Sequence, residues 1–195
     1  SWNNSLIDQT AIIHSNADVH KNVSIGPYSV IGENVSIGSG TVIGSHVVIT
    51  GPTTIGPNNK IFHFSSIGED PQDKKFNKDQ NSYLEIGANN TIREYVSINR
   101  GTSDGGGKTI IGNNNWIMAY VHIAHDCIIG NNSTFANNTT LAGHVAIQDF
   151  VTLGGFTGVH QFCRIGSYSF SAISSVIVKD VPPYILVSGN TAKPS

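Results

Sequence analysis

Almost every sixth residue of this chain is aliphatic, and that period constrains its fold more than any other feature. Stepping in sixes from Ile7 meets Ile13, Val19, Ile25, Ile31, Ile37, Ile43, Ile49, Ile55, Ile61 and Ile67. The register restarts at Ile86, Ile92 and Ile98. It restarts again at Ile111 and runs to Ile177, with Ser171 as its one polar member. A small or β-branched residue usually stands two positions earlier, as Ser29, Val35, Thr41, Val47 and Thr53 show. In a strand, residues i and i−2 share a face, so both positions point to one interior. Gly often follows the aliphatic, as in Ile25-Gly26 and Ile31-Gly32, and supplies a turn. Short units that each carry a turn cannot build a helix or a long strand. They predict an all-β prism, a parallel β-helix of roughly nine coils with Ile25, Ile43 and Ile61 stacked inside, about 4.8 Å per coil.

Composition agrees with strands and turns. Ile, Val, Thr and Ser abound, Gly and Asn are frequent, and only 12% of residues are charged. The net charge of −2 offers no basic stripe, which argues against nucleic acid. No apolar run is long enough for an integral membrane segment. Cys127 and Cys163 do not make a disulfide framework, and the polar start Ser1-Trp2-Asn3-Asn4 does not read as a secretory signal. The expectation is a cytoplasmic protein with reduced thiols.

Two segments break the period. Residues 68–85 are polar and irregular, and residues 99–110 contain Gly105-Gly106-Gly107. Both read as loops protruding from a rigid scaffold. Asp180-Val181-Pro182-Pro183-Tyr184 is expected to stop the repeat, since Pro cannot donate to a central ladder. That leaves a short tail over 181–195 on a single domain spanning 1–195.

The register also tests each histidine. None of the eight occupies an inward position, so none reads as a core imidazole. Residues eighteen apart stack on successive coils, which sets His125, Gly143 and Gln161 in one column and Asp126, His144 and Phe162 in the next. His122 shortly precedes His125, and His160 adjoins Gln161, so four histidines gather near one corner. His14 and His20 fall on early coils and read as exposed surface imidazoles. Three readings of the cluster stand. A neutral imidazole could take a proton from an alcohol, with Asp126 orienting His125. Three imidazoles could hold Zn at about 2.1 Å, as in the carbonic anhydrases among trimeric repeat proteins, the third coming from another subunit. Or the histidines could be incidental to a structural scaffold.

Three segments together carry a resemblance: His122-Ile123-Ala124-His125-Asp126-Cys127, Leu141-Ala142-Gly143-His144-Val145 and Gly158-Val159-His160-Gln161-Phe162. With Ile92-Arg93-Glu94, Arg100-Gly101-Thr102 and the Pro182-Pro183 segment, they make the chain resemble the acyl-ACP:UDP-N-acetylglucosamine O-acyltransferases of lipid A synthesis. That resemblance implies a left-handed β-helix, although the general rule for parallel crossovers favours the other hand. It implies transfer of a 3-hydroxyacyl chain from acyl carrier protein to the 3-hydroxyl of UDP-N-acetylglucosamine, without metal or organic cofactor. It makes His125 the general base, Asp126 its orienting carboxylate and the Gly143 N–H an oxyanion donor. His122, His144, His160 and Gln161 become substrate contacts, and Asp73 and Lys75 reach the sugar nucleotide. Ile173 falls where one side chain limits acyl length, and its bulk favours shorter chains. The family is a homotrimer with each active site between neighbouring prisms. Asn99 and Thr191 depart from it, standing where His is frequent. The family continues into a coil with nucleotide-binding residues and then a helical domain. This sequence reaches Ser195 without them, and the expectation is a chain lacking that domain.

Overall fold

The computed structural model describes residues 6–78 and 80–194. Three sheets form the faces of a prism, with nine, eight and ten strands. The first runs from Ile12–Ile13 to Val176–Ile177, and the second from Asp18–Val19 to Arg164–Ile165. The third begins at Ser24–Ile25 and closes with the antiparallel pair Leu186–Ser188 and Lys193–Pro194. All other pairings are parallel and join strands one coil apart, such as Ile12 with Val30 and His122 with Thr140. Ile25, Ile43 and Ile61 stack inside, each at most 2% exposed.

Two inward columns are more polar than the aliphatic period suggests. Asn59, Asn90 and Asn115 stand two residues before core aliphatics and are buried as a ladder. The Oδ1 of Asn59 accepts the Asn90 N–H at 2.9 Å, and the Oδ1 of Asn90 accepts the Asn115 N–H at 2.9 Å. Ser171, the one polar member of the period, is fully buried because its Oγ shares a hydrogen bond with Thr157 Oγ1 at 2.8 Å. Buried polar groups are tolerated when paired, and these are.

The corners explain the composition. Most coils place a non-glycine residue in left-handed backbone at a corner, including Asn34, Asn58, Asn89, Asn114 and Asn132. That conformation costs an L-residue about 1–2 kcal/mol, and Asn tolerates it better than most. Where the corner residue is bulky, stacking between coils offsets the cost. Tyr28, His46, Phe64, Tyr95 and Tyr120 form a ladder with ring centroids 4.9–5.2 Å apart.

The Pro182-Pro183 segment does not end the prism, contrary to the expectation. Val181 bridges Ile165 in parallel, Tyr184 stacks on Tyr168 at 5.0 Å, and Leu186–Ser188 pairs with Phe170–Ser171. The two prolines sit exposed at a corner, where no ladder donor is needed. The interruptions are also shorter than 68–85 and 99–110. Ser66–Glu69, Tyr83–Ile86, Ser97–Asn99 and Lys108–Ile111 extend the sheets into them.

Both loops leave from the corner between the first and second sheets. Arg100 fastens the first one. Its guanidinium is buried, donates to the Gly68 carbonyl at 2.6 Å and to Ser82 Oγ at 3.2 Å, and pairs with Asp70. Burial works against the charge on Asp70, but Arg100 and Lys78 outweigh it and hold the carboxyl below its ordinary value. A depressed carboxyl stabilises the fold at neutral pH, and this contribution fades as pH falls from the unfolded value through the lower folded one. We expect Arg100→Met to cost roughly 3 kcal/mol, because charged hydrogen bonds are lost and their acceptors left unpaired. Thermal melting would read the cost. Limited proteolysis should cut within 70–82 first, and a loop that stays resistant would show that Arg100 does not fasten it.

Candidate active site

The corner that bears the loops also bears the histidines. His125 and Asp126 follow the strand His122–Ile123 of the first sheet and precede Ile128–Ile129 of the second. One coil on, His144 takes the same corner, and Phe162 the next. His125 Nδ1 lies 2.8 Å from Asp126 Oδ2. The Asp126 side chain is 1% exposed and that of His125 16%. The His144 ring meets His125 edge-on at 5.1 Å, stacks on Phe162 at 4.4 Å, and sets its Nε2 3.8 Å from Asp126 Oδ2.

Gly143 faces the His125 ring. A Cβ built there would lie 2.6 Å from Cε1 and 2.8 Å from Nε2 of His125. Among the described residues its N–H has no hydrogen-bond acceptor, whereas the neighbouring N–H groups of Ala142 and His144 donate to Val159 and His125 carbonyls. His122 projects outward from the first sheet with Nδ1 2.7 Å from Ser97 Oγ. Burial lowers the pKa of His122, hydrogen bonding to Ser97 works the other way, and the nearby His125 lowers it further.

The Gly-rich loop contributes residues that the repeat pattern does not flag. Asp126 Oδ1 accepts the Thr102 N–H at 2.7 Å, and Thr102 Oγ1 lies 2.6 Å from Oδ2. The Ser103 N–H donates to Gln80 Oε1 at 2.8 Å, which ties the two loops together. The signal that could have found Thr102 is its place at the start of the second interruption, just before a turn that needs a cap.

Other expected residues lie apart. His160 and Gln161 are exposed on the next coil beyond Gly143, and no side-chain hydrogen bond joins them to the cluster among the described residues. Asp73 and Lys75 are exposed in the first loop, where Asp73 Oδ1 accepts the Lys75 N–H at 2.9 Å. Ile173 is 71% exposed, but at the corner between the third and first sheets. Within one prism it does not share a groove with His125. Asn99 is buried, and its Oδ1 has no hydrogen-bond partner among the described residues.

The donor atoms of His125, Asp126 and His144 lie within 4.8 Å of one another, which differs from the three-imidazole set that a Zn reading requires. Both Asp126 oxygens already accept hydrogen bonds, and His125 Nδ1 is engaged with one of them. These contacts join His125 and Asp126 as an imidazole–carboxylate pair. A hollow of about 460 Å³ opens beside it, lined by Asp104, Ile128, His144, Phe162 and Arg164 among others. A smaller apolar hollow around Lys60 and Phe62 lies on the third sheet, away from these groups.

A prism of six-residue repeats with an imidazole–carboxylate pair at its corner is the architecture of the hexapeptide-repeat acyltransferases. The bacterial transferase hexapeptide model matches residues 16–51 and 108–143. The acyl-[acyl-carrier-protein]--UDP-N-acetylglucosamine O-acyltransferase of Thiobacillus denitrificans is 58% identical over 97% of this chain and 73% of its own. The solved structure of LpxA from Acinetobacter baumannii superposes with a TM-score of 0.96 at 52% identity, over 97% of this chain and 73% of that one. UDP-N-acetylglucosamine O-acyltransferase from Moraxella catarrhalis gives 0.96 at 50% identity, over 97% and 74%. This chain therefore belongs to the acyl-[acyl-carrier-protein]--UDP-N-acetylglucosamine O-acyltransferase family and shares its left-handed β-helix. No helix among the described residues is long and apolar enough to cross a membrane.

Proposed function

We propose that this protein transfers a 3-hydroxyacyl chain from acyl carrier protein to the 3-hydroxyl of UDP-N-acetylglucosamine, in the cytoplasm, as the first step of lipid A synthesis. The observation that carries the reading is the His125–Asp126 pair set against the unengaged N–H of Gly143. His125 Nε2 removes the proton of the sugar hydroxyl as its oxygen attacks the thioester carbonyl carbon. Asp126 stabilises the imidazolium that forms. The Gly143 N–H donates to the oxyanion. Collapse breaks the C–S bond, and the departing thiolate takes the proton back from His125. His122, His144, His160, Gln161, Asp73 and Lys75 contact substrate.

The same reading makes the protein a homotrimer of single-domain prisms. His125 and Ile173 occupy different corners, so one acyl chain can meet both only in a cleft between two copies. Ile173 would then fill the end of the acyl groove from the neighbouring prism. Forcing extra methylenes into filled space costs about 1–3 kcal/mol, which is roughly a tenfold or larger preference for shorter chains. We expect Ile173→Gly to shift the preference towards longer acyl thioesters, as measured by rates across chain lengths. An unshifted profile would remove Ile173 from the groove. The test of the activity itself is thiol release from a 3-hydroxyacyl thioester of acyl carrier protein, dependent on UDP-N-acetylglucosamine. Release that ignores the sugar nucleotide, or no release, would overturn the proposal.

A further inference from the structure

Asp126 is buried where a corner residue ordinarily faces solvent. It holds left-handed backbone with φ 62°, like Asn132 and Phe162, yet it is 4% exposed while Phe162 is 66% exposed. What covers it is the Gly-rich loop. Thr102 caps a short turn over Ser103–Gly105. Gly105 then passes so close that a Cβ there would fall 2.1 Å from the Asp126 carboxyl carbon. Only a glycine lets the loop shut this tightly.

The direction of the hydroxyl proton follows from its other partner. Thr102 Oγ1 accepts the Gly105 N–H at 3.3 Å, so its single proton is free to go to Asp126 Oδ2 at 2.6 Å. Asp126 thus meets the Thr102 N–H on Oδ1 and the Thr102 hydroxyl on Oδ2, with His125 Nδ1 sharing Oδ2. Oδ2 accepts from the Thr102 hydroxyl and faces Nδ1 as an acceptor, which places the His125 proton on Nδ1 and leaves Nε2 with its lone pair.

We propose that Thr102 is a positioning residue that holds Asp126 and through it sets the orientation and tautomer of the His125 ring. The proposal rests on the reading of His125 as the base. Thr102 and His125 share one carboxylate oxygen, so the hydroxyl holds in place the oxygen that meets the ring. Its removal should let that oxygen turn away from Nδ1. The other titratable groups near the ring are His122 from the strand before it and His144 from the next coil, with Asp104 and Arg164 lining the hollow beside Asp126. All remain in the variant, so the change isolates one hydroxyl.

Thr102→Val keeps the shape and the backbone N–H while deleting the hydroxyl. In the full chain, nitrogen NMR of the His125 ring should show its neutral form less purely protonated at Nδ1, with no substrate present. With 3-hydroxyacyl thioester and UDP-N-acetylglucosamine, kcat should fall about tenfold, roughly the worth of one charge-assisted hydrogen bond. KM for the sugar nucleotide should hold. Thr102→Ser should restore all of these. A wild-type tautomer distribution in Thr102→Val overturns the proposal, as does a fall in kcat that Ser does not repair. If the ring responds as expected but the wild type releases no thiol, the activity fails while the coupling stands. If Thr102→Val does not fold, Thr102→Ser must still show the wild-type tautomer, and a changed tautomer there overturns the proposal.

Discussion

His125→Ala should lower turnover by at least about a hundredfold while the prism stays folded, since base catalysis contributes roughly 10²–10⁴. The size of the effect follows from what remains. Deleting the ring leaves Asp126 held by Thr102 at both oxygens, so no buried carboxylate is stranded and the stability cost should stay near 1 kcal/mol. The side chain is only 16% exposed, less open than an outward register position suggests, because Asp126, Gly143 and His144 crowd it. That crowding also fixes the ring in place. Thiol-release rates and a thermal melt on the same sample check both halves. Undiminished turnover in a folded variant would show that another group takes the proton.

The period made the prism legible because it is a statement about side-chain direction. Inward and outward positions alternate, and an aliphatic every six residues leaves little else that could bury them. The columns that stack His125 under Gly143, and Asp126 under His144, follow from the same count, since eighteen residues make one turn of the prism. Beyond this the pattern is silent. It does not reveal that Asn59, Asn90 and Asn115 face inward, because an isolated Asn reads as a turn residue until its coil neighbours are known to satisfy its amide. Nor does it carry the coil past Pro182 and Pro183, whose missing donors matter only in a ladder and not at a corner.

The site was half legible for a similar reason. The residues that follow the register, His122, His125, Asp126, Gly143 and His144, come together as the spacing requires. Residues in the interruptions have no register, so the clamp of Thr102 on Asp126 and the latch from Gln80 to Ser103 emerge only from the folded loops. Ile173 shows the opposite limit. Its register places it well, but at a corner of the prism remote from His125, and only a second copy can bring it to the same ligand.

Gly143→Ala should reduce kcat by about a hundredfold, the loss expected when a catalytic group is displaced by roughly 1 Å. The backbone at Gly143 is not in the left-handed region, so alanine meets no conformational penalty there. Its Cβ, however, would stand 2.6 Å from His125 Cε1, and one of the two must move. The ring cannot retreat toward His144, which meets it edge-on at 5.1 Å, so it swings away and strains its 2.8 Å bond to Asp126. Gly158→Ala is the control, because a Cβ there meets nothing within 4 Å and turnover should persist. The double variant separates the two ways in which Gly143 could matter. If the methyl acts by pushing the ring, adding it to His125→Ala changes nothing, since there is no ring to push. If it acts by disturbing the N–H that receives the oxyanion, the residual rate of His125→Ala falls further. The close contact on Cε1 favours the first outcome. A fully additive loss would move the weight of the Gly143 effect from the imidazole to the backbone N–H.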